Sequence, residues 1–233
     1  MAKLALITGA SRGIGKALAK GLHQDGWKVI LIARNEKKLI SLAKSLSSKS
    51  SKKKAWVYAG DVSDRKFVKA TAKEVLAKIG TPDLLINGAA INHHGTLTVT
   101  HDQFEEQMAV NVAGAFNFLK AIVPAMKKRG SGYIINISSI AGKVGFAGSG
   151  SYVTTKFALN GLSESLFHEL VPEGIKVTSI CPSWVDTDMA AYSGIPGDEM
   201  IHVKDILKTV RYLLDLGPNA VPKEVVISCV PFV

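Results

Sequence analysis

Seven short apolar runs rich in β-branched residues recur along the chain, at Leu4 to Thr8, Val29 to Ala33, Trp56 to Ala59, Leu84 to Asn87, Tyr133 to Ser138, Val177 to Cys181 and Val225 to Ser228. Most are continuously hydrophobic, the pattern of strands covered on both faces in a parallel sheet. Stretches of helical character lie between them, among them Gly15 to Gln24, Arg65 to Lys78, Phe104 to Lys128, Tyr152 to Leu170 and Lys204 to Leu216. Parallel strands need long crossovers, so this alternation predicts an α/β protein: a doubly wound parallel sheet of about seven strands with helices on both faces. Ligands of such sheets bind outside the carboxyl ends of the strands. No linker, repeat or composition break divides the 233 residues, and a single domain over 1–233 is expected.

Composition narrows the function classes. With 47% hydrophobic and 21% charged residues the chain can bury a core and is not disordered. Cys181 and Cys229, its two cysteines, exclude a disulfide framework or Cys-rich zinc site and read as packed thiols in a reducing compartment. No metal site is expected. No window has the roughly 18 uncharged apolar residues of a spanning helix, and the N-terminal residues run straight into a strand pattern. A soluble, cytoplasmic protein with no membrane partner is the expectation.

The formal charge of +10 is unevenly placed: residues 1–80 carry 18 Lys and Arg against 5 Asp and Glu, whereas the remaining 153 carry 11 against 14. Much of the excess is Lys44 and, in the Ser-rich stretch SLSSKSSKKK that follows it, Lys49, Lys52, Lys53 and Lys54. Blocks of like charge are usually solvated loops, and no aromatic residues interleave these lysines, so no nucleic-acid partner is expected.

Directly after the first run comes Thr8-Gly9-Ala10-Ser11-Arg12-Gly13-Ile14-Gly15, followed at once by a helical pattern. Glycines here let backbone N–H groups approach a pyrophosphate and set it on a helix N-terminus. The strand before and the helix after supply the context that a Rossmann-like dinucleotide site requires. The spacing is GxxxGxG. With Thr8 in front, it resembles the short-chain dehydrogenase/reductase family, NADP-preferring and similar to 3-oxoacyl-(acyl-carrier-protein) reductases and related carbonyl reductases.

That resemblance gives other residues meaning. Where the family's NAD-binding members carry Asp at the end of the second strand, this chain reads Ile32-Ala33-Arg34-Asn35. Arg34 can meet a 2′-phosphate through a forked, charge-assisted contact, and Arg12 sits where the family often places a second base. NADP(H) is therefore preferred, with NAD(H) possible. Asp61-Val62 resembles the pair that holds the adenine ring, although Asp61 could equally cap the helix before Arg65. After the fourth strand Asn87-Gly88-Ala89-Ala90 stands for the family's NNAG, with Ala90 in place of its glycine. After the sixth, Pro182, Val185 and Thr187 match the segment that holds the nicotinamide carboxamide, and Ser183 replaces the family's glycine.

Tyr152 and Lys156, spaced i, i+4, fall on one helix face, a weak signal alone because lysine is abundant. Ser139, thirteen residues before Tyr152, and Asn111 complete the family's Asn, Ser, Tyr and Lys tetrad. By that resemblance Tyr152 is the general acid/base and Lys156 lowers its pKa and holds the nicotinamide ribose. Ser139 hydrogen-bonds the carbonyl oxygen, and Asn111 holds a relay water. Ser138 reads as structural.

The substrate pocket is expected from Ile91, His93 and His94, from Val144, Phe146 and Ser149, and from Trp184, Met189 and Tyr192. These side chains are mostly apolar and suit a largely apolar small-molecule carbonyl or alcohol. The short stretch from Thr187 to Lys204 suggests an open pocket. The C-terminal end lacks the Asp-Gly-Gly run of acyl-carrier reductases, although the basic first third could attract an acidic carrier. Rival readings are an inactive nucleotide-binding sensor or scaffold and a non-redox epimerase or dehydratase on the same fold. The family resemblance implies a homodimer or homotetramer.

Overall fold

The computed structural model describes residues 3–46 and 54–230, so Lys49, Lys52 and Lys53 of the basic stretch lie outside the described residues. The strands are β1 (Leu4–Thr8), β2 (Lys28–Ala33), β3 (Ala55–Ala59), β4 (Leu84–Asn87), β5 (Gly132–Ile137), β6 (Ile175–Pro182) and β7 (Glu224–Ile227). Every expected strand is present, with its ends moved by at most two residues. All neighbours pair in parallel, in the order β3-β2-β1-β4-β5-β6-β7. This is the doubly wound, Rossmann-like sheet expected. Its strand order reverses between β1 and β4, which opens a crevice at their carboxyl ends.

The helices are α1 (Gly13–Gln24), α2 (Glu36–Leu46), α3 (Arg65–Lys78), α4 (His101–Met108), α5 (Gly114–Arg129), α6 (Gly150–Leu170) and α7 (Val203–Asp215). The side-chain period of a strand is two, and the sheet divides its apolar residues accordingly. Ala5, Ile7, Val29 and Leu31 pack with Leu18 and Leu22 of α1, Leu39 of α2 and Ile206 and Val210 of α7. Leu4, Leu6, Ile30 and Ile32 face the other way, onto Val68 and Val75 of α3 and Phe118, Ile122 and Met126 of α5. Burial on both faces is why the strands read as unbroken apolar runs.

Two helical features depart from the expectation. Helix α2 follows directly on Arg34; Asn35 Oδ1 accepts the Lys38 N–H at 2.9 Å. The helix expected from Phe104 starts earlier because Thr100 and Gln103 form a reciprocal capping box. It also contains a π-helical turn, Ala109–Ala113, between α4 and α5. By length and hydropathy the run His101–Arg129 could cross a bilayer. Its apolar side is instead spent on the sheet, with Phe118, Leu119, Ile122, Val123 and Met126 buried there. Cys181 and Cys229 are buried free thiols.

Candidate active site

A crevice of about 850 Å³ runs along the carboxyl ends of the strands. At its β1–β2 end the lining is the glycine loop, Gly9 and Ser11 to Gly15, with Ala33, Arg34, Asn35 and Lys38. The loop is made close by its glycines. Gly9 has φ +71°, and a Cβ there would lie 2.6 Å from the Gly88 carbonyl oxygen; a Cβ on Gly15 would lie 2.4 Å from the Gly9 carbonyl oxygen. No side chain caps α1 and no acid occupies its first turn, so none of the helix's own side chains claims its N-terminal N–H groups. These observations fit a dinucleotide pyrophosphate. Thr8 does not line the crevice. Its hydroxyl accepts the Gly88 and Ala89 N–H groups at 3.0 and 3.1 Å and so ties the ends of β1 and β4 together, one layer behind the expected cofactor contact.

Arg34 opens onto the same end and meets two carboxylates: Nη1 is 3.7 Å from Asp61 Oδ2 and 3.6 Å from Glu106 Oε1. Arg12 lies 3.9 Å from Asp188. Asp61 does not cap a helix; its Oδ1 accepts the Ser63 N–H and hydroxyl, while Asp64 caps α3 through the Lys66 and Phe67 N–H groups. The capping alternative is thereby removed. Val62 lines the crevice with Asp61, and its carbonyl is held by Asn117 at 3.0 Å. Lys38, Gly60 and Asn35 line this end without having been singled out in the sequence; the only cue was their place beside β2 and β3.

Past β4, Gly88, Ala89, Ala90 and Ile91 line the crevice, whereas Asn87 is buried in the sheet and donates to Asn136 Oδ1 at 2.8 Å. Asn87, expected among the cofactor contacts, is thus a buried sheet residue and not a lining residue, because its side chain is spent on Asn136. Ala90 and Ser183, which replace glycines of the resembled family, need none, since no non-glycine residue has a positive φ among the described residues. Ser183 has work of its own: its hydroxyl accepts the Cys229 N–H at 2.7 Å and its N–H donates to Ile227, which pins the end of β7.

At the β5–α6 end Ser139, Tyr152 and Lys156 all line the crevice. Strand β5 delivers Ser139 at the start of a short 3-10 turn, where Oγ accepts the Ala141 N–H at 3.1 Å, makes a long contact of 3.4 Å to the Pro182 carbonyl and also faces the Tyr152 hydroxyl. The first turns of α6 place Tyr152 and Lys156 on one side, with Lys156 Nζ 5.4 Å from the Tyr152 ring centroid. Lys156 is buried and donates to the Ile137 carbonyl at 3.0 Å; burial pulls its ammonium down to about 8. Burial likewise pushes the Tyr152 phenol above its ordinary range, opposed by a hydrogen bond with Ser139. The family resemblance implies a lowered phenol pKa. Among the protein's own groups the order is reversed, because desolvation dominates and the amine is spent on a backbone carbonyl.

Asn111 lies in the π-helical turn, behind the lining. Its side chain clamps Ile91, accepting from the N–H at 2.8 Å and donating to the carbonyl at 2.9 Å, and also donates to Thr155 at 3.0 Å. Both amide hydrogens are thereby used, and Oδ1 keeps one acceptor position open. Ser138 is buried, its N–H bonded to the Ile180 carbonyl.

Of the expected pocket residues, Ile91, His94, Phe146, Ser149, Trp184, Met189 and Tyr192 line the crevice, and His93 and Val144 do not. His93 turns away to Glu106, with Nε2 at 2.8 Å. The segment after β6 is short yet tied down. Val185 is buried and bridges Ile201, Thr187 Cγ2 would touch a Cβ on Gly13 at 3.2 Å, and Pro182 and Val185 line the crevice. Tyr192 reaches across to Asn92 at 3.1 Å, to the His94 ring at 3.4 Å between centroids and to the Trp184 ring at 5.6 Å. Sequence reasoning missed Asn92, since nothing marks it before the lid folds over it.

A sequence model described as short chain dehydrogenase matches residues 3–195. An uncharacterized oxidoreductase of Staphylococcus epidermidis is 33% identical over 226 residues, 97% of this chain and 96% of its own. A solved β-ketoacyl-[ACP] reductase from Bacteroides thetaiotaomicron is 38% identical with a TM-score of 0.88, covering 100% of this chain and 99% of its own. An alcohol dehydrogenase from the archaeon Thermococcus sibiricus, solved with 5-hydroxy-NADP, superimposes with a TM-score of 0.90 at 29% identity, covering 99% and 97%.

Proposed function

The chain belongs to the short-chain dehydrogenase family and is an oxidoreductase, and from that premise we propose that it moves hydride between NADP(H) and the carbonyl or alcohol carbon of a largely apolar small molecule. One observation carries this reading: Ser139, Tyr152 and Lys156 share a single crevice with a glycine loop and the cations Arg12, Arg34 and Lys38. Gly9, Ser11, Gly13, Ile14 and Gly15 would hold the pyrophosphate, and Arg34 with Arg12 and Lys38 the 2′-phosphate. Asp61 and Val62 would flank the adenine, Gly88 and Ala89 the ribose path, and Pro182, Val185 and Thr187 the carboxamide side. The bound cofactor supplies the hydride. NADP(H) is the preferred partner and NAD(H) a weaker one; the complex of the Thermococcus relative with an NADP derivative supports this order.

The protein's own groups handle the proton. Ser139 accepts from Ala141, which leaves its hydroxyl hydrogen free to leave a long contact and donate to a substrate oxygen. Tyr152, held protonated by burial, donates to the same oxygen during reduction and takes the proton back during oxidation. Lys156, whose Nζ lies 5.4 Å from the Tyr152 ring centroid, would stabilise negative charge on the phenol as the proton leaves, and Asn111 fixes Ile91 at the crevice wall. Exposed Phe104, Phe116 and Phe157 on α4, α5 and α6 support a homodimer or homotetramer.

NADPH oxidation followed against ketones, aldehydes, quinones and acyl thioesters tests the assignment. Tyr152→Phe is expected to lower turnover about 10³-fold while NADPH affinity stays within about threefold. Turnover retained by that variant would remove Tyr152 from the chemistry.

A further inference from the structure

Arg34 is the residue on which the NADP(H) reading turns, and it is not alone. Its guanidinium is 57% exposed and lies within ion-pair distance of two carboxylates, Asp61 at 3.7 Å and Glu106 at 3.6 Å. Asp61 is held in place by Ser63, with both the N–H and the hydroxyl bonded to Oδ1. Glu106 comes from α4, and its second oxygen is anchored by His93 Nε2 at 2.8 Å. The His93 backbone is itself held, its N–H given to buried Gln107 and its carbonyl accepting the Ser151 hydroxyl. The Glu106 carboxylate is therefore a positioned charge and not a freely swinging one.

A 2′-phosphate brings close to two negative charges to Arg34, and a ribose 2′-hydroxyl brings none. A fixed carboxylate beside that arginine opposes the first and leaves the second unaffected. We propose that Glu106 is a specificity-determining counter-charge, whose carboxylate competes with the cofactor 2′-phosphate for Arg34 and holds the preference for NADPH over NADH below what the arginine alone would set. The inference rests on the NADP(H) reading above and deepens it.

Calorimetric titration of the intact protein with NADPH and with NADH, without substrate, reads this directly. Glu106→Gln keeps the shape and a hydrogen bond to His93 while removing the charge. It is expected to tighten NADPH roughly three- to tenfold, the size of a unit charge opposing a dianion at a solvated surface, and to leave NADH within about twofold. The gain should shrink in about 0.5 M salt, where screening acts over a few ångströms. Arg34→Ala in parallel is expected to weaken NADPH selectively. An unchanged NADPH affinity in Glu106→Gln beside that selective loss, or equal tightening of both cofactors, would overturn the role of Glu106 alone. Equal losses of both cofactors in Arg34→Ala would overturn the 2′-phosphate assignment itself.

Discussion

The β1–β2 end of the crevice is made of backbone and of solvent-exposed charge, with glycines in carbonyl contact and Arg12 and Arg34 each facing carboxylates. The β5–α6 end is made of side chains taken out of water: Lys156 is buried beside a phenol whose protonation is also set by desolvation. Binding an anion at a helix N-terminus needs donors at fixed positions and little else. Moving a proton needs groups whose pKa differs from its value in water, which only burial and close neighbours provide. The first end should be sensitive to any added atom and the second to the removal of a single polar one.

The largest expected contrast tests the buried end. Ser139→Ala should lower turnover about 10²- to 10³-fold, the usual worth of one donor at a developing oxyanion, with cofactor affinity nearly unchanged in the same titrations. Its stability should fall by only about 1 kcal/mol, for the lost cap on the Ala141 N–H. A rate loss below tenfold would remove Ser139 from the reacting atoms.

The opposite operation breaks the other end. Gly9→Ala adds one methyl at φ +71°, with its carbon 2.6 Å from the Gly88 oxygen, and backbone on both sides cannot swing away. Denaturant unfolding should show a loss of about 3 kcal/mol together with weakened binding of both cofactors. A neutral effect would mean that the loop relaxes and that its closeness is not required.

The smallest expected effect is one of pH. Lys156 has its folded pKa lowered to about 8 from an ordinary 10.5, so below pH 8 folding carries the full cost of burying an ammonium, and that cost fades as pH rises toward 10.5. The stability of the wild-type protein relative to Lys156→Met should therefore improve by about 1–2 kcal/mol between pH 7.5 and 9.5, measured by paired thermal melts. A difference flat across that window would mean the amine is solvated.

Sequence and structure agree most where the cause is local. The unbroken apolar runs mark doubly covered strands, the glycine loop sits between a strand and a helix, and the Tyr152–Lys156 spacing sets both on one face of α6. They part at Thr8, Asn87 and Asn111, three polar residues beside the crevice whose side chains bond to Gly88 and Ala89, to Asn136 and to Ile91. Their identity is legible, but the neighbour that claims each hydrogen bond comes from a remote part of the chain, 20 to 81 residues away.

The sequence alone determined the alternation of strands and helices and the glycine-rich turn between the first two, because each follows from periodicity or from spacing within a short stretch, and its resemblance to the family pointed to the Ser, Tyr and Lys set. Only the folded molecule decided which side of the phenol's ordinary pKa burial favours, that the lid after β6 reaches Asn92 through Tyr192, and that Glu106 stands beside Arg34. Desolvation and charge proximity depend on distances between residues remote in the chain, and those distances exist only once both faces of the sheet are packed.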